Sequence, residues 1–277
     1  MDNRPIGFFD SGLGGLTCIP HLMEAMPLER IIYFGDTART PYGSKATRTI
    51  RNFAFEITDF LAAKDVKMIV IACNTVSATC LADLRARRPD IPILGVIGPA
   101  ARTVARVCGA DNRIGIIGTK ATVRSGVYKE QILKHNPSLN IFEHACPTFV
   151  PLIEEGIIRH EIMDLSIRYY LDQFIAYNHI DTLVLGCTHY PLIRTNIMKL
   201  YPGLSIVDPS EEALVRITGT LRDRDLCADA PAGDHTFYAS DLSENFVEMI
   251  NRIFRNTGFT VAFKSFDLED IVSRDGD

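Results

Sequence analysis

Two cysteines stand in matching surroundings. Cys73 lies within VIACNTV (70–76) and Cys187 within LVLGCTHYP (183–191), and in both an apolar run ends in a small residue, a cysteine and, within two places, a threonine. A cysteine thiolate is a base or nucleophile whose ordinary pKa, about 8.5, falls near a cation or a helix N-terminus. An apolar run of this length, bounded by polar residues and followed by a helix-like pattern, reads as a buried strand of a parallel sheet. Each cysteine then sits at a strand's carboxyl end, where open α/β sheets bind ligands, and two of them suggest half-sites facing one substrate. A single cysteine is more often a small buried hydrophobe. Helix capping accounts equally well for Asn74, Thr75 and Thr188, but it does not account for two cysteines in register.

Other residues could join them. Asp10 and Ser11, at the end of a first apolar run, are placed either to cap a helix or to bind an ammonium group and an oxygen. His189 is either a satisfied surface histidine or an acid assisting the neighbouring thiol. Asp36 either begins a turn or orients a site group, and Glu154 in PLIEEG has the setting of a solvated loop charge.

The elements that must position these residues come in a repeated order. Runs at 6–9, 31–34, 68–72 and 93–97 read as strands, with helical patterns over 16–26, 47–63 and 77–87 between them. From Arg113 the order begins again: strand 114–117, helix 123–134, strand 139–144, a long loop CPTFVPLIEEG, helix 161–177 and strand 182–185. Asp10 precedes Cys73 by 63 residues, and Gly118, the equivalent strand end, precedes Cys187 by 69. The expected fold is therefore α/β, two pseudo-symmetric open α/β domains with mainly parallel sheets and the active site in the interdomain cleft. A capped helix after Val207, a strand at 235–239 and a helix at 243–255 have no partner in the second half. They are expected to return to the first, giving domains 1–97 plus 208–277 and 98–207. The stretch 269–277 reads as a frayed polar end. In the helix at 166–177, Tyr169, Tyr170 and Phe174 read as a packing face rather than a dimer face.

Composition removes several function classes. The chain has 277 residues, 47% apolar, with a formal net charge of −5 and no basic stripe, so nucleic acid is not an expected partner. No apolar run approaches the ~18 residues that span a bilayer and MDNRPIGFFD lacks a signal-peptide layout, so no membrane partner and a cytoplasmic location are expected. The seven cysteines are scattered, odd in number and without a C-x-x-C pair, which argues for free thiols and against a structural metal site.

Five stretches carry a more specific message: FDSGLGGLT (9–17), GDTARTPYGS (35–44), ACNTVSA (72–78), CPTFVPLIEEG (146–156) and GCTHYPLI (186–193). In this order they resemble the glutamate racemases of the aspartate/glutamate racemase superfamily, over almost the whole chain. The resemblance implies a racemase with no cofactor and no metal, two α/β domains enclosing glutamate, and a role in supplying D-glutamate for peptidoglycan. It implies that Cys73 and Cys187 are acid/base thiols on opposite faces of Cα, assisted by Asp10 and His189 respectively. Ser11, Pro41, Tyr42, Gly43, Asn74, Thr75 and Thr188 match substrate-holding positions, as do Asp10 and His189, while Asp36 and Glu154 match acidic positions of the catalytic set. Homodimers are common among such enzymes, although no interface is marked in the sequence. The short lead into the first strand implies no activation by a cell-wall precursor. Rival readings are a racemase of aspartate or another acidic amino acid, an amino-acid binding protein without catalysis, and a dinucleotide-dependent oxidoreductase. The last is suggested by Gly12, Gly14 and Asp36, but Thr17 occupies the third glycine place.

Overall fold

The computed structural model describes residues 1–230, 234–242, 247, 248, 250, 254 and 263–265. Within them lie two sheets in which every strand pair is parallel. The first contains β1 (Ile6–Asp10), β2 (Ile31–Gly35), β3 (Met68–Ile71) and β4 (Ile93–Gly95), and the second β5 (Arg113–Gly118), β6 (Asn140–Ala145), β7 (Thr182–Gly186) and β8 (Ser205–Val207). Their orders are β2-β1-β3-β4 and β6-β5-β7-β8, the same winding twice. Two strands add to the first sheet only: β9 (Thr236–Ala239) pairs with β2, and β10 (Phe263–Ser265) with β9. The late strand expected at 235–239 thus returns to the first sheet.

Continuous apolar strands make sense here because both faces of the first sheet are covered. Ile6, Phe8, Ile31, Tyr33, Met68 and Val70 face one core, and Phe9, Ile32, Phe34, Ile69 and Ile71 face another. Helix α2 (Thr47–Ala63) covers the second core with Ile50, Ala54, Ile57 and Leu61, one stripe at helical spacing. The first core is shared between the halves, since it also contains Ile114, Ile116, Leu183 and Leu185 of the second sheet. Burial of this shared core ties the two halves together.

Several helices differ from the sequence reading. The segment after β1 enters as a 3₁₀ turn, Gly14–Cys18, before α1 (Ile19–Ala25), whose Pro20 suits a helix start. Expected at 77–87, the next helix instead begins directly after Cys73 as α3 (Asn74–Thr79) and breaks at Cys80 before α4 (Leu81–Arg87). Helix α5 (Ile97–Val107) was not anticipated and takes over from β4, which ends at Gly95 rather than 97. The helix expected over 123–134 is two, α6 (Lys120–Ser125) and α7 (Val127–His135), divided at Gly126 with φ of 66°. CPTFVPLIEEG is not all loop: it contains α8 (Phe149–Glu154), in which Pro151 falls in the first turn, where no intrahelical N–H bond is lost. Helix α9 (Glu161–Asn178) buries Phe174 and leaves Tyr169 80% exposed, so its aromatic residues do not share one packing face. Helix α10 (Arg194–Leu200) follows β7, and α11 (Pro209–Asp223) follows β8, capped by Asp208. The helix expected at 243–255 falls largely outside the described residues, and the tail 269–277 wholly so.

Candidate active site

Strand β3 ends at Ile71, and Ala72 carries the chain into the turn where Cys73 occupies the N-cap of α3 in an extended conformation. The thiol is buried and donates to Ser11 Oγ at 3.4 Å. Burial pushes the Cys73 thiol up, and the nearby Asp10 carboxylate adds to the rise, while Ser11 and the Val76 N–H oppose it. Asp10, the last residue of β1, is fully buried, and its Oδ2 accepts from Gly15 N–H at 2.9 Å and from Thr188 Oγ1 at 3.3 Å. Asp10 does not hydrogen-bond to Cys73; it acts on that sulfur through charge.

Cys187 follows β7 in the same way. Its sulfur is buried and lies 3.9 Å from His189 Nδ1. On the far side of the ring, His189 Nε2 is 3.1 Å from Glu154 Oε1, which also accepts from Thr40 Oγ1 at 3.2 Å. Burial alone would lower the histidine, but Cys187 and Glu154 on either side of the ring outweigh it and hold His189 well above its ordinary 6.5. Cys187, His189 and Glu154 form a relay through which a proton can be held or passed beside the sulfur.

Both sulfurs line one narrow cleft between the two strand-end rims. Ser11, Pro41, Tyr42, Gly43, Asn74, Thr75, Thr188 and His189 line it as well. Close approach between the halves explains the glycines: a Cβ on Gly14 would stand 2.5 Å from Thr188 Oγ1, and one on Gly43 would run into Thr119. The GLGG turn is therefore packed against the opposite half, which removes the dinucleotide-phosphate role that its glycines suggested.

Of the site residues expected from the sequence, Asp10, Asp36 and Glu154 do not line the cleft. Asp36 is buried behind it, accepting from the Tyr42 hydroxyl, from Arg39 Nε at 2.6 Å and from Ser240 Oγ at 2.9 Å, and so it anchors the 36–44 loop. Glu154 reaches the site through His189 rather than as a solvated charge. Five contributors were missed, the first being Thr40 in the wall of the cleft. Thr119 lines the cleft and binds Thr75 Oγ1 at 3.0 Å, and Thr122 completes a hydroxyl triangle at 3.0 Å from Thr119 and 3.4 Å from Thr75. Val150 of α8 lines the same cleft, and Tyr128 of α7 donates to Asn74 Oδ1 at 2.5 Å. Thr119 did carry a signal, since it follows Gly118 as Ser11 follows Asp10. Among the described residues no helix is long and apolar enough to cross a membrane.

Comparison with known proteins gives concordant results. The family model for Asp/Glu/hydantoin racemases matches residues 17–217. A glutamate racemase of Geobacter metallireducens is 42% identical over 254 residues, covering 91% of this chain and 93% of that protein. One from Neisseria meningitidis is 43% identical over 244 residues, covering 88% and 90%. The crystal structure of glutamate racemase from Francisella tularensis in complex with D-glutamate superposes with a TM-score of 0.90 at 36% identity, covering 98% of this chain and all of that one.

Proposed function

The chain belongs to the Asp/Glu/hydantoin racemase family, and from that membership we propose that it interconverts L- and D-glutamate by proton transfer at Cα between Cys73 and Cys187, with no cofactor and no metal. The observation that carries the mechanism is the pair of thiols at equivalent strand ends lining one cleft. Inversion needs a proton removed from one face of Cα and another delivered to the opposite face. One thiolate takes the α-proton, breaking C–H and forming S–H, and the opposite thiol gives up its own to the carbanionic carbon. The sulfurs finish with exchanged protonation states, and the reverse reaction starts from there.

The surroundings divide the remaining work. Ser11 receives the substrate ammonium on the Cys73 side, with the buried Asp10 carboxylate behind it as the matching negative charge. Asn74, Thr75 and Thr188, with the loop at Pro41, Tyr42 and Gly43, hold the carboxylates, and Thr119 and Thr122 extend this donor set. Fixed donors in a water-poor cleft stabilise the negative charge that develops on the α-carboxylate as the C–H bond breaks. Asp36 keeps Tyr42 in place, and His189 with Glu154 manages the proton of Cys187. Domains of 1–97 plus 208–277 and 98–207 fit this division of labour, each contributing one sulfur. A cytoplasmic enzyme that furnishes D-glutamate for peptidoglycan is the biological role that follows, and a homodimer is an assembly open to it.

The deciding experiment incubates exhaustively dialysed protein with L-glutamate, D-glutamate or L-aspartate in D₂O. Racemisation of glutamate with deuterium entering Cα is expected, with aspartate turned over poorly. A requirement for added pyridoxal phosphate or metal, or faster turnover of aspartate, would overturn the reading.

A further inference from the structure

Tyr128 sits at the second residue of α7, in the second half of the chain, and its side chain is fully buried. Its ring packs against β7 where a Cβ on Gly186 would come within 3.2 Å of Tyr128 Cε2, so the ring has little room to move. From there the hydroxyl crosses to the first half and donates to Asn74 Oδ1 at 2.5 Å, bridging 54 residues of sequence. Asn74 lines the cleft directly beside Cys73, and its Nδ2 makes no hydrogen bond among the described residues.

An asparagine amide presents an acceptor on one side and two donors on the other, in nearly the same shape. Unanchored, it can turn over and offer the cleft an oxygen instead of N–H groups. For a cleft that takes a dicarboxylate, the first orientation repels and the second attracts. We propose that Tyr128 is a positioning residue that fixes the Asn74 amide with its Nδ2 toward the substrate carboxylate, so that one half of the molecule sets the donor polarity of the other. Burial holds the phenol well above its ordinary range, so the group stays protonated and remains a donor throughout the working pH range. The inference rests on the assignment of Asn74 to substrate binding made above.

The test is a double-mutant cycle of Tyr128→Phe and Asn74→Ala, read as KM and kcat for both glutamate enantiomers. Tyr128→Phe is expected to raise KM about three- to tenfold, the range that follows from losing one oriented hydrogen bond. In the Asn74→Ala background the same change should leave KM where Asn74→Ala alone has put it. Additive effects, or an unchanged KM in Tyr128→Phe when Asn74→Ala raises it, would overturn the role of Tyr128 and leave the racemase reading standing. An unchanged KM in Asn74→Ala would instead remove the assignment of Asn74 and this inference with it. Should Tyr128→Phe fail to fold, ¹⁵N-asparagine labelling of the parent protein supplies the readout. Addition of glutamate is expected to shift the Asn74 side-chain NH₂ signals, and unmoved signals would reject the proposal.

Discussion

The turn at Cys73 and the turn at Cys187 occupy the same place in two copies of one winding, yet the groups that touch the two sulfurs share no chemistry. Around Cys73 stand a hydroxyl, Ser11, and a carboxylate, Asp10, both borne at the end of the neighbouring strand. Around Cys187 the equivalent neighbour, β5, ends in Gly118, and the assisting group comes from the turn itself as His189, backed by Glu154 of α8. Duplication of the backbone fixes where the sulfurs lie. The side chains around them then give one sulfur a carboxylate companion and the other an imidazole, so the two protons are held by different means. That difference suits a pair in which one thiol must be charged when the other is not.

The largest effects should come from the sulfurs themselves. Cys73→Ser and Cys187→Ser are each expected to lower racemisation by on the order of a thousandfold, the scale of a lost general acid or base, with circular dichroism and thermal unfolding close to the parent. Near-parental turnover in either variant would mean that one base serves both faces, and the two-base comparison would collapse.

The next effect separates the two sulfurs. Glu154→Gln keeps a hydrogen-bonding group beside His189 but removes one of the two influences that raise it. The His189-governed limb of the pH–rate profile should move toward acid, and kcat on the alkaline side should fall about tenfold, as when a charged hydrogen bond is lost. The linkage has the same origin. Since His189 titrates above its ordinary value in the fold, its contribution to stability is complete at acid pH and is lost as pH rises through the folded value. Glu154→Gln should therefore cost stability at acid and neutral pH and little at strongly alkaline pH. An unshifted profile would show that Glu154 does not act through His189.

Much of this asymmetry was legible beforehand, for physical reasons. Strand ends can be read because burial on both faces demands an apolar run, and the first polar residues after it mark the rim, which places Asp10, Cys73 and Cys187. His189 was legible because it lies two positions from its sulfur. What could not be read are contacts that close over long separations between chemically plain residues. Tyr128 is one more buried aromatic until its hydroxyl is seen on Asn74, and Asp36 is one acidic strand end among several until Tyr42, Arg39 and Ser240 are seen around it. Helix α8 was hidden by two prolines whose positions a loop explains as readily, and with it went the reason that Glu154 is held against a histidine instead of solvated.

The smallest effect concerns what the first half has and the second lacks. Strand β9 extends the first sheet, and at its end Ser240 Oγ donates to Asp36 Oδ1 at 2.9 Å and accepts from Ala38 N–H at 3.0 Å. Asp241 N–H donates to Thr37 Oγ1 at 2.8 Å, so the late segment is tied to the loop that carries Tyr42 and Gly43 into the cleft. Ser240→Ala removes two of these bonds but leaves Arg39 and Tyr42 on Asp36. The expected cost is about 1 kcal/mol in unfolding free energy, with kcat changed less than about twofold. A loss of activity well beyond that would mean that the loop depends on the returning strand for its catalytic geometry, and that the second half, which has no such strand among the described residues, holds its side of the cleft by a different principle.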